Sequence, residues 1–414
     1  MVRTGVALLV VLLGLGCDRD GLPFSNTPQG SLADATVDAL TPDGDATPDA
    51  DGEALSLDAF IAAQMSEAQI PGLALAVVRA EGDGWRRTFG LANVDQALPV
   101  DERSVFHMAS ISKPVSTWSL MQAVEREEVA LDDDLSDLAG FDVRSPLSPA
   151  QPVEVRHVLT HTTGLADDFF VLSRATSVGD PELSSGAFLQ GYIAPGGDFY
   201  SEANWSTAPG TRYDYCNAAF GFVGHLVEVV GGASFEALAK RDLFEPLGMT
   251  DSGFSLADVS GKVLAVGYTS SGTEFTAEEA RGYPYRSASS FRSSLRDMER
   301  FALAWLRGGE LDGVRVLQED TVRSMADVPF PELNGNQAIT NRFRRINGRD
   351  YLGHTGSSFE GSAALMFDTE YRYALILMSN SNAFFVANLG VTEGSDALWA
   401  ILRRVEEDAV AGAL

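Results

Sequence analysis

Residues 106–116, FHMASISKPVS, carry a lysine in a chain that almost lacks lysine. Of the 30 basic residues, only Lys113, Lys240 and Lys262 are lysines, and the others are arginines. Lys113 stands three residues after Ser110. An ammonium group can lose its proton in a desolvated pocket, whereas a guanidinium group effectively never does. The position therefore indicates a lysine that is kept for its ability to give up a proton.

The residues around Ser110 predict a helix that begins at this serine. Apolar side chains recur after it at helical spacing, namely at Trp118, Met121 and Val124. Pro114 is tolerated in a helix only near the first turn. Residues three apart lie on one helix face, so Ser110 and Lys113 should be neighbours. The free N–H groups at the helix start would also favour negative charge on a carbonyl oxygen under attack.

Two further motifs follow in a fixed order. The stretch RYDYCNAAFG holds Tyr215, Cys216 and Asn217, and YLGHTGSSFEG holds His354, Thr355 and Gly356. With S-x-x-K first, Y-x-N midway and H-T-G last, the chain resembles the penicillin-recognising serine hydrolases. It is most similar to the class C β-lactamase and D-Ala-D-Ala peptidase branch, which includes esterases and D-amino-acid peptidases. The stretches VRHVLTHTTGL, LFEPLGMTDSGF and SSLRDMERF support the resemblance, which covers residues 55–414.

The chemistry of these residue types agrees with the roles that the resemblance implies. A serine hydroxyl is a weak nucleophile at its free pKa and needs a nearby base. For Ser110 the candidates are Lys113 and the phenol of Tyr215, and the sequence does not decide between them. The two groups should titrate as a coupled pair.

The resemblance also assigns the groups that bind substrate. It implies that the amide of Asn217 holds the acyl-side amide of the substrate, and that Thr355 and Gly356 contribute to the same binding site. It further implies an oxyanion hole formed by the backbone N–H groups of Ser110 and Ser357, and such donors stabilise the charge that develops in the transition state.

Several departures from the family pattern bear on substrate class. His354 stands where many β-lactamases have lysine, although histidine is usual in some peptidases and esterases of the family. It can relay protons to a leaving group or meet a substrate carboxylate, but its charge varies near neutral pH. The segment SSFRSS at 289–294 replaces the glycine-rich pattern of many relatives, and Ser357 and Ser358 follow H-T-G where glycine is common.

Strand and helix patterns at the two chain ends predict one shared sheet. A helix over 57–70 precedes the strands LALAVVRA and WRRTFG, which are joined by the turn EGDG. Near the other end SAALMF, the turn DTEY and RYALILMSN form a second hairpin, and a helix over about 395–408 follows. We therefore predict an α/β (α+β) fold of the β-lactamase type, with a central antiparallel sheet, flanking helices and a mostly helical subdomain over about 114–290.

Two stretches that could suggest a metal are interpreted otherwise. In HVLTH, His157 and His161 lie four apart, but Val158 stands where the zincin pattern needs glutamate. The segment LDDDLSD at 131–137 lacks the glycine and distal glutamate of a calcium loop. We predict no metal and no organic cofactor. A net charge of −28 argues against nucleic acid as a partner.

The N-terminal residues predict export. Arg3 precedes an apolar run, and GLGC at 14–17 resembles a bacterial lipobox in which Cys17 would be lipidated. Residues 18–53 contain nine acids and one arginine and cannot build a core. The predicted organisation is a lipoprotein-type signal peptide (1–17), a disordered acidic linker (18–54) and a hydrolase domain (55–414). A lipid anchor facing the periplasm or the cell exterior is expected, with ordinary secretion as the alternative, and the oligomeric state is left open.

The functional hypothesis is acyl transfer to Ser110 followed by hydrolysis of a small-molecule or peptide substrate. A D-amino-acid peptidase or an esterase is favoured because of His354. A true class C-type β-lactamase is one alternative, and a catalytically silent penicillin-binding or sensor lipoprotein is another. A hydrolase of the G-x-S-x-G type is set aside because the sequence has no such motif.

Overall fold

The computed structural model describes residues 55–271, 274–388 and 390–414, so the predicted signal peptide and linker lie outside the described residues. The α-helices in these ranges are α1 (Leu57–Glu67), α2 (Ser112–Glu125), α3 (Leu135–Ala139), α4 (Val155–Leu159), α5 (Phe169–Ala175), α6 (Ser185–Ile193), α7 (Asn217–Gly231), α8 (Phe235–Ala239), α9 (Arg286–Ser289), α10 (Leu295–Leu306), α11 (Glu319–Ser324), α12 (Ala383–Ala387) and α13 (Glu393–Val410). Two 3₁₀ turns (Ala109–Ile111 and Glu202–Asn204) and one π-helical turn (Lys240–Phe244) complete the helical elements of this part of the chain.

The strands are mostly short outside one large sheet. They are β1 (Gly72–Arg79), β2 (Trp85–Asn93), β3 (Leu98–Pro99), β4 (Val105–His107), β5 (Ser177–Val178), β6 (Tyr268–Ser271), β7 (Glu274–Ala277), β8 (Arg281–Gly282), β9 (Arg292–Ser294), β10 (Glu310–Leu311), β11 (Val314–Arg315), β12 (Arg342–Ile346), β13 (Arg349–Ser357), β14 (Ser362–Asp368) and β15 (Tyr373–Ser379). Seven of them form one antiparallel sheet in the order β12–β13–β14–β15–β1–β2–β3.

The predicted joining of the chain ends in one sheet is confirmed. Strand β1 pairs with β15 along its length, and Leu75 lies opposite Leu377. The two predicted hairpins become β1–β2 and β14–β15, and the predicted C-terminal helix is α13. The α/β (α+β) fold class with a central antiparallel sheet is therefore correct.

Helices cover both faces of this sheet. In β1, Leu73, Leu75 and Val77 belong to a core that includes residues of α1 and α13. The alternate residues Ala74, Ala76 and Val78 belong to a second core that includes residues of α2, α7 and α10. A sheet covered on both faces needs apolar residues at successive positions, which explains the continuous apolar sequence of β1.

The helical region beside the sheet is centred on α7. This helix contacts α2, α6 and α9. Residues 112–123 of α2 are all buried, so this helix is surrounded by protein rather than exposed along one face. Among the described helices, none is by itself long and apolar enough to cross a membrane. The residues singled out by the sequence motifs lie where the end of β13, the turn before α2 and the start of α7 meet.

Candidate active site

Ser110 lies in the 3₁₀ turn Ala109–Ile111, which connects β4 to α2. The sequence predicted that a helix begins at Ser110, and the α-helix itself starts two residues later at Ser112. Ala109 has a φ of 46°, in the left-handed region that residues other than glycine seldom adopt. Backbone strain of this kind clusters at functional sites, where the surrounding structure holds it in place.

Lys113 is fully buried and its amine reaches Ser110. Nζ donates hydrogen bonds to Ser110 Oγ at 3.1 Å, to Asn217 Oδ1 at 2.7 Å and to the carbonyl of Ala288 at 3.1 Å. These three acceptors are neutral oxygens. Burial disfavours the charged form of an amine, so this environment suits a lysine that exchanges its proton.

Tyr215 places a second group beside the same hydroxyl. Its phenol oxygen lies 3.0 Å from Ser110 Oγ, and its ring centroid lies 4.7 Å from Nζ of Lys113. The ring also packs on that of His161, with centroids 4.2 Å apart. Both proposed bases therefore contact Ser110, and the geometry leaves the choice between them open.

The start of α7 positions Asn217, and the residue before it anchors that start. The N–H of Cys216 donates to Nδ1 of His161 at 3.2 Å, and Cys216 Sγ accepts from the N–H of Ala219 at 3.3 Å. Burial holds the pKa of His161 well below its usual value. Since His161 is then neutral, its Nδ1 is available as the acceptor for Cys216.

The end of β13 carries the third motif. His354 is almost fully buried, and its ring centroid lies 6.2 Å from that of Tyr215. Nδ1 of His354 lies 2.7 Å from the carbonyl of Thr355. A carbonyl can only accept, so Nδ1 carries the proton and Nε2 is the basic nitrogen of the neutral ring.

Gly356 allows β13 to pack against the Ser110 turn. A Cβ at this position would lie 2.2 Å from the carbonyl oxygen of Met108, closer than real Cβ atoms come. Beyond it, the N–H of Ser358 donates to the carbonyl of Gly361 across the turn to β14. Successive N–H groups on a strand point to opposite sides, so the N–H of Ser357 points away from β14. No described strand pairs with residues 354–357 on that side, because β12 pairs only with residues 349–353.

Comparison with known protein families agrees with this geometry. The profile described as beta-lactamase matches residues 57–390. The chain belongs to the beta-lactamase family.

Proteins with similar sequences include an esterase and a penicillin-binding protein. Over 51% of this chain and 54% of the relative, the sequence is 32% identical to esterase EstB of Burkholderia gladioli. It is 31% identical to penicillin-binding protein 4 of Amycolatopsis lactamdurans over 45% of each chain. The chain thus spans about half the length of these curated relatives.

Solved structures share the fold. D-amino acid amidase from Ochrobactrum anthropi SV3 superposes with a TM-score of 0.65 at 20% identity, covering 84% of this chain and 99% of the amidase. D-alanine carboxypeptidase AmpC from Burkholderia cenocepacia gives a TM-score of 0.61 at 19% identity, covering 84% and 98%. The arrangement of sheet and helices is therefore that of the beta-lactamase fold.

Three contributors to this beta-lactamase-type site were not anticipated from the sequence. Ala288 supplies a carbonyl to Lys113 from the short helix α9, which begins just before the divergent segment at 289–294. His161 supports Tyr215 and Cys216. Asp167 binds the start of α7. A backbone carbonyl leaves no signal in sequence, and paired aspartates in a loop are too common to single one out.

The two stretches that could suggest a metal have local roles. Nδ1 of His157 accepts from the N–H of Glu154 at 3.0 Å, whereas His161 turns towards Cys216. Asp134 accepts from the N–H of Ser136 and pairs with Arg144. Among the described residues, no group of three or more His, Cys, Asp and Glu side chains is arranged to hold a metal ion.

A cavity of about 430 Å³ lies away from the catalytic residues, between β1, β2 and α10. Its lining includes arginines, namely Arg79, Arg86, Arg296, Arg300 and Arg307. Four of them already donate to protein oxygens: Arg79 to Ala409, Arg86 to Glu299, Arg300 to Asp312 and Arg307 to Ala80. Most of the arginines that line this cavity are therefore explained by the protein oxygens that they bind.

Proposed function

We propose that this protein is a serine hydrolase that forms an acyl-enzyme on Ser110 and then releases the acyl group to water. The observation that carries the proposal is the double contact to Ser110 Oγ, at 3.1 Å from Nζ of Lys113 and 3.0 Å from the phenol of Tyr215. A nucleophile in hydrogen-bond contact with an amine and a phenol, each of which can take its proton once it has lost its own, is the arrangement that serine acylation requires.

In the acylation step, Lys113 as the free amine or Tyr215 as the phenolate takes the proton of Ser110. The Oγ electron pair then forms a bond to the substrate carbonyl carbon, and the carbonyl π electrons move onto its oxygen. The N–H groups of Ser110 and Ser357 stabilise that negative oxygen. When the carbonyl re-forms, the bond to the leaving group breaks and the leaving group accepts the proton that the base took from Ser110, either directly or after Nε2 of His354 has received it from the base and passed it on.

Hydrolysis repeats these steps with water. A water molecule gives a proton to the base and attacks the Ser110 ester. Collapse of the second tetrahedral intermediate breaks the ester bond, releases a carboxylic acid and returns the proton to Ser110. No bound metal or organic group is needed for any of these steps.

Within this chemistry, we favour a D-amino-acid peptidase or an esterase. His354 replaces a fixed positive charge by a titratable one, which weakens binding of a substrate carboxylate near neutral pH. Relatives named as an esterase and as a penicillin-binding protein support this choice.

A substrate panel tests the proposal. The purified full chain is incubated with a p-nitrophenyl ester, a D-amino-acid amide, nitrocefin and a fluorescent penicillin. Fast turnover of one compound identifies the class, and a stable penicillin adduct indicates a peptidase.

Ser110→Ala should lower turnover at least about 1,000-fold. Ser119→Ala is the matched control, because this buried hydroxyl of α2 has no hydrogen-bond partner among the described residues. Undiminished turnover in Ser110→Ala would contradict the proposal, and inertness to every compound would favour a catalytically silent sensor.

We also propose that the hydrolase is exported and held at a membrane by a lipid on Cys17. The proposal is supported by the sequence GLGC after an apolar run with Arg3 in front. Metabolic labelling with a radioactive fatty acid should mark the wild-type chain and not Cys17→Ala. Equal labelling of both chains would rule out Cys17 as the attachment site.

A further inference from the structure

Among the described residues, the carboxylate of Asp167 accepts hydrogen bonds from groups of the Y-x-N motif and the residue after it. Its Oδ2 accepts from the backbone N–H of Asn217 at 2.9 Å and from Nδ2 of the same residue at 2.7 Å. Its Oδ1 accepts from the N–H of Ala218 at 2.9 Å and from the thiol of Cys216 at 3.2 Å. All four partners are donors, so each contact requires an acceptor oxygen at this position.

These contacts decide which way the amide of Asn217 points. Asp167 can only accept, so the nitrogen of the amide must face it. The oxygen is then left to accept from Nζ of Lys113, at 2.7 Å. The orientation is set independently from both ends, by a carboxylate on one side and an amine on the other.

We propose that Asp167 is a positioning residue for catalysis, which holds Lys113 against Ser110 by fixing the amide of Asn217. The inference rests on the proposed function of Ser110 and adds a residue to it. If the carboxylate were lost, the amide could turn by 180° and present Nδ2 to Nζ. Two donors would then face each other, and Lys113 would move away from the hydroxyl whose proton it shares.

Asp167→Asn is the sharpest substitution, because it keeps the size of the side chain and replaces one acceptor by a donor. The adjacent Asp168 supplies a matched control. Its carboxylate is also partly buried, but it accepts from the N–H groups of Phe170 and Val171 and so caps α5 instead. Asp168→Asn therefore removes the same charge from the same loop without touching Asn217.

We expect Asp167→Asn to lower kcat by about 10- to 100-fold, as a small misplacement of a catalytic group does. KM should change by a smaller factor than kcat, because Asp167 contacts protein groups and reaches the substrate only through the amide of Asn217. Asp168→Asn should keep kcat within about twofold of wild type, since it leaves the Asn217 amide in place. In an Asn217→Ala background, adding Asp167→Asn should cost less than about twofold, because the residue through which Asp167 acts is already gone.

A spectroscopic readout tests the same contact without activity. The ¹H–¹⁵N NMR spectrum of protein labelled with ¹⁵N-asparagine shows a pair of signals for each side-chain amide. The pair that is missing in Asn217→Ala belongs to Asn217. Asp167→Ala should shift that pair, and Asp168→Ala should leave it in place.

The outcomes separate this inference from the proposed function. Equal kcat losses in Asp167→Asn and Asp168→Asn would overturn the role of Asp167 while leaving the hydrolase intact. A full Asp167→Asn loss in the Asn217→Ala background would overturn it too, since the effect would then not pass through Asn217. If the wild-type chain hydrolyses nothing, the proposed function fails, and an unmoved amide pair in Asp167→Ala would still overturn the contact.

Discussion

Lys113 differs from the other lysines in what surrounds it. Its amine is buried among the hydroxyl of Ser110, the amide of Asn217 and a carbonyl. Lys262, by contrast, is partly exposed and pairs with the carboxylate of Asp251 at 2.7 Å. An arginine at 262 could still pair with Asp251. An arginine at 113 could not exchange a proton with Ser110, because its guanidinium stays charged.

Lys113→Arg should therefore abolish catalysis although it keeps the positive charge. We expect kcat/KM to fall at least about 1,000-fold, because both the base and the fit of the buried pocket are lost. Lys262→Arg serves as the control and should stay within about threefold of wild type, since an arginine keeps the positive charge that pairs with the buried carboxylate of Asp251. Steady-state kinetics with the best substrate of the panel measure both. Retained activity in Lys113→Arg would leave Tyr215 as the only base in contact with Ser110.

The catalytic role of a single residue was predictable from the sequence where the residue belongs to a motif whose chemistry requires that residue type. Ser110, Lys113, Tyr215 and Asn217 were all singled out, and the structure links them in one chain of hydrogen bonds, from Tyr215 through Ser110 and Lys113 to Asn217. Asp167 was not, because its importance comes from four contacts made across 50 residues of chain, which leave no local pattern.

At the scale of elements, the site depends on how closely β13 approaches the Ser110 turn. Gly356 has no Cβ, which lets its backbone touch the carbonyl of Met108. The neighbouring N–H of Ser357 is one of the two proposed oxyanion donors, so any displacement of this strand end changes its distance from the substrate oxygen.

Gly356→Ala should separate these two elements. The new methyl group would meet a backbone oxygen at 2.2 Å, and neither element can yield without moving its main chain. A shift of about 1 Å in such a donor should lower kcat/KM by about 100-fold. Gly335→Ala is the control, because its added Cβ would lie 3.7 Å from the nearest atom, an ordinary contact. Equal kinetics for the two variants would show that the strand end does not position the oxyanion hole.

The long elements were predictable and the short ones were not. Strands β1, β14 and β15 consist of continuous apolar runs bounded by turn residues, and α13 has a clear apolar stripe, so local pattern was sufficient. Strands β4 and β9 contain only three residues each and pair across a separation of nearly 190 residues. Such pairing is decided by tertiary packing, which overrides the weak preferences of a three-residue segment.

At the scale of the whole molecule, buried histidines make stability depend on pH. Burial lowers the pKa of His107 to about 4, and burial with the charge of Arg156 does the same for His157. Nε2 of His107 donates to the carbonyl of Ser289, and its Nδ1 accepts from Ser358, so the neutral ring is the form that fits. In the unfolded chain both rings would titrate near pH 6.5.

Stability should therefore fall as the pH drops from about 6.5 towards 4. In that window the unfolded chain binds more protons than the folded one, and each histidine costs about 2 kcal/mol between pH 7 and 4.5. Urea unfolding at several pH values measures this. In His107→Gln the loss of unfolding free energy between pH 7 and 4.5 should be smaller by that amount. His225→Gln, at a partly buried ring bonded to the carbonyl of Ala139, is the control. A loss in His107→Gln identical to wild type would exclude His107 as a cause.

The central claim is that Ser110 becomes acylated because a buried amine and a phenol share its proton. The most direct measurement is peptide mapping by mass spectrometry after a slow substrate, such as the fluorescent penicillin, has been quenched on the enzyme. We predict the acyl mass on the peptide that contains Ser110 in the wild-type chain and none on that peptide in Lys113→Arg. An acyl group on any other residue, or equal labelling of Ser110 in both proteins, would contradict the account.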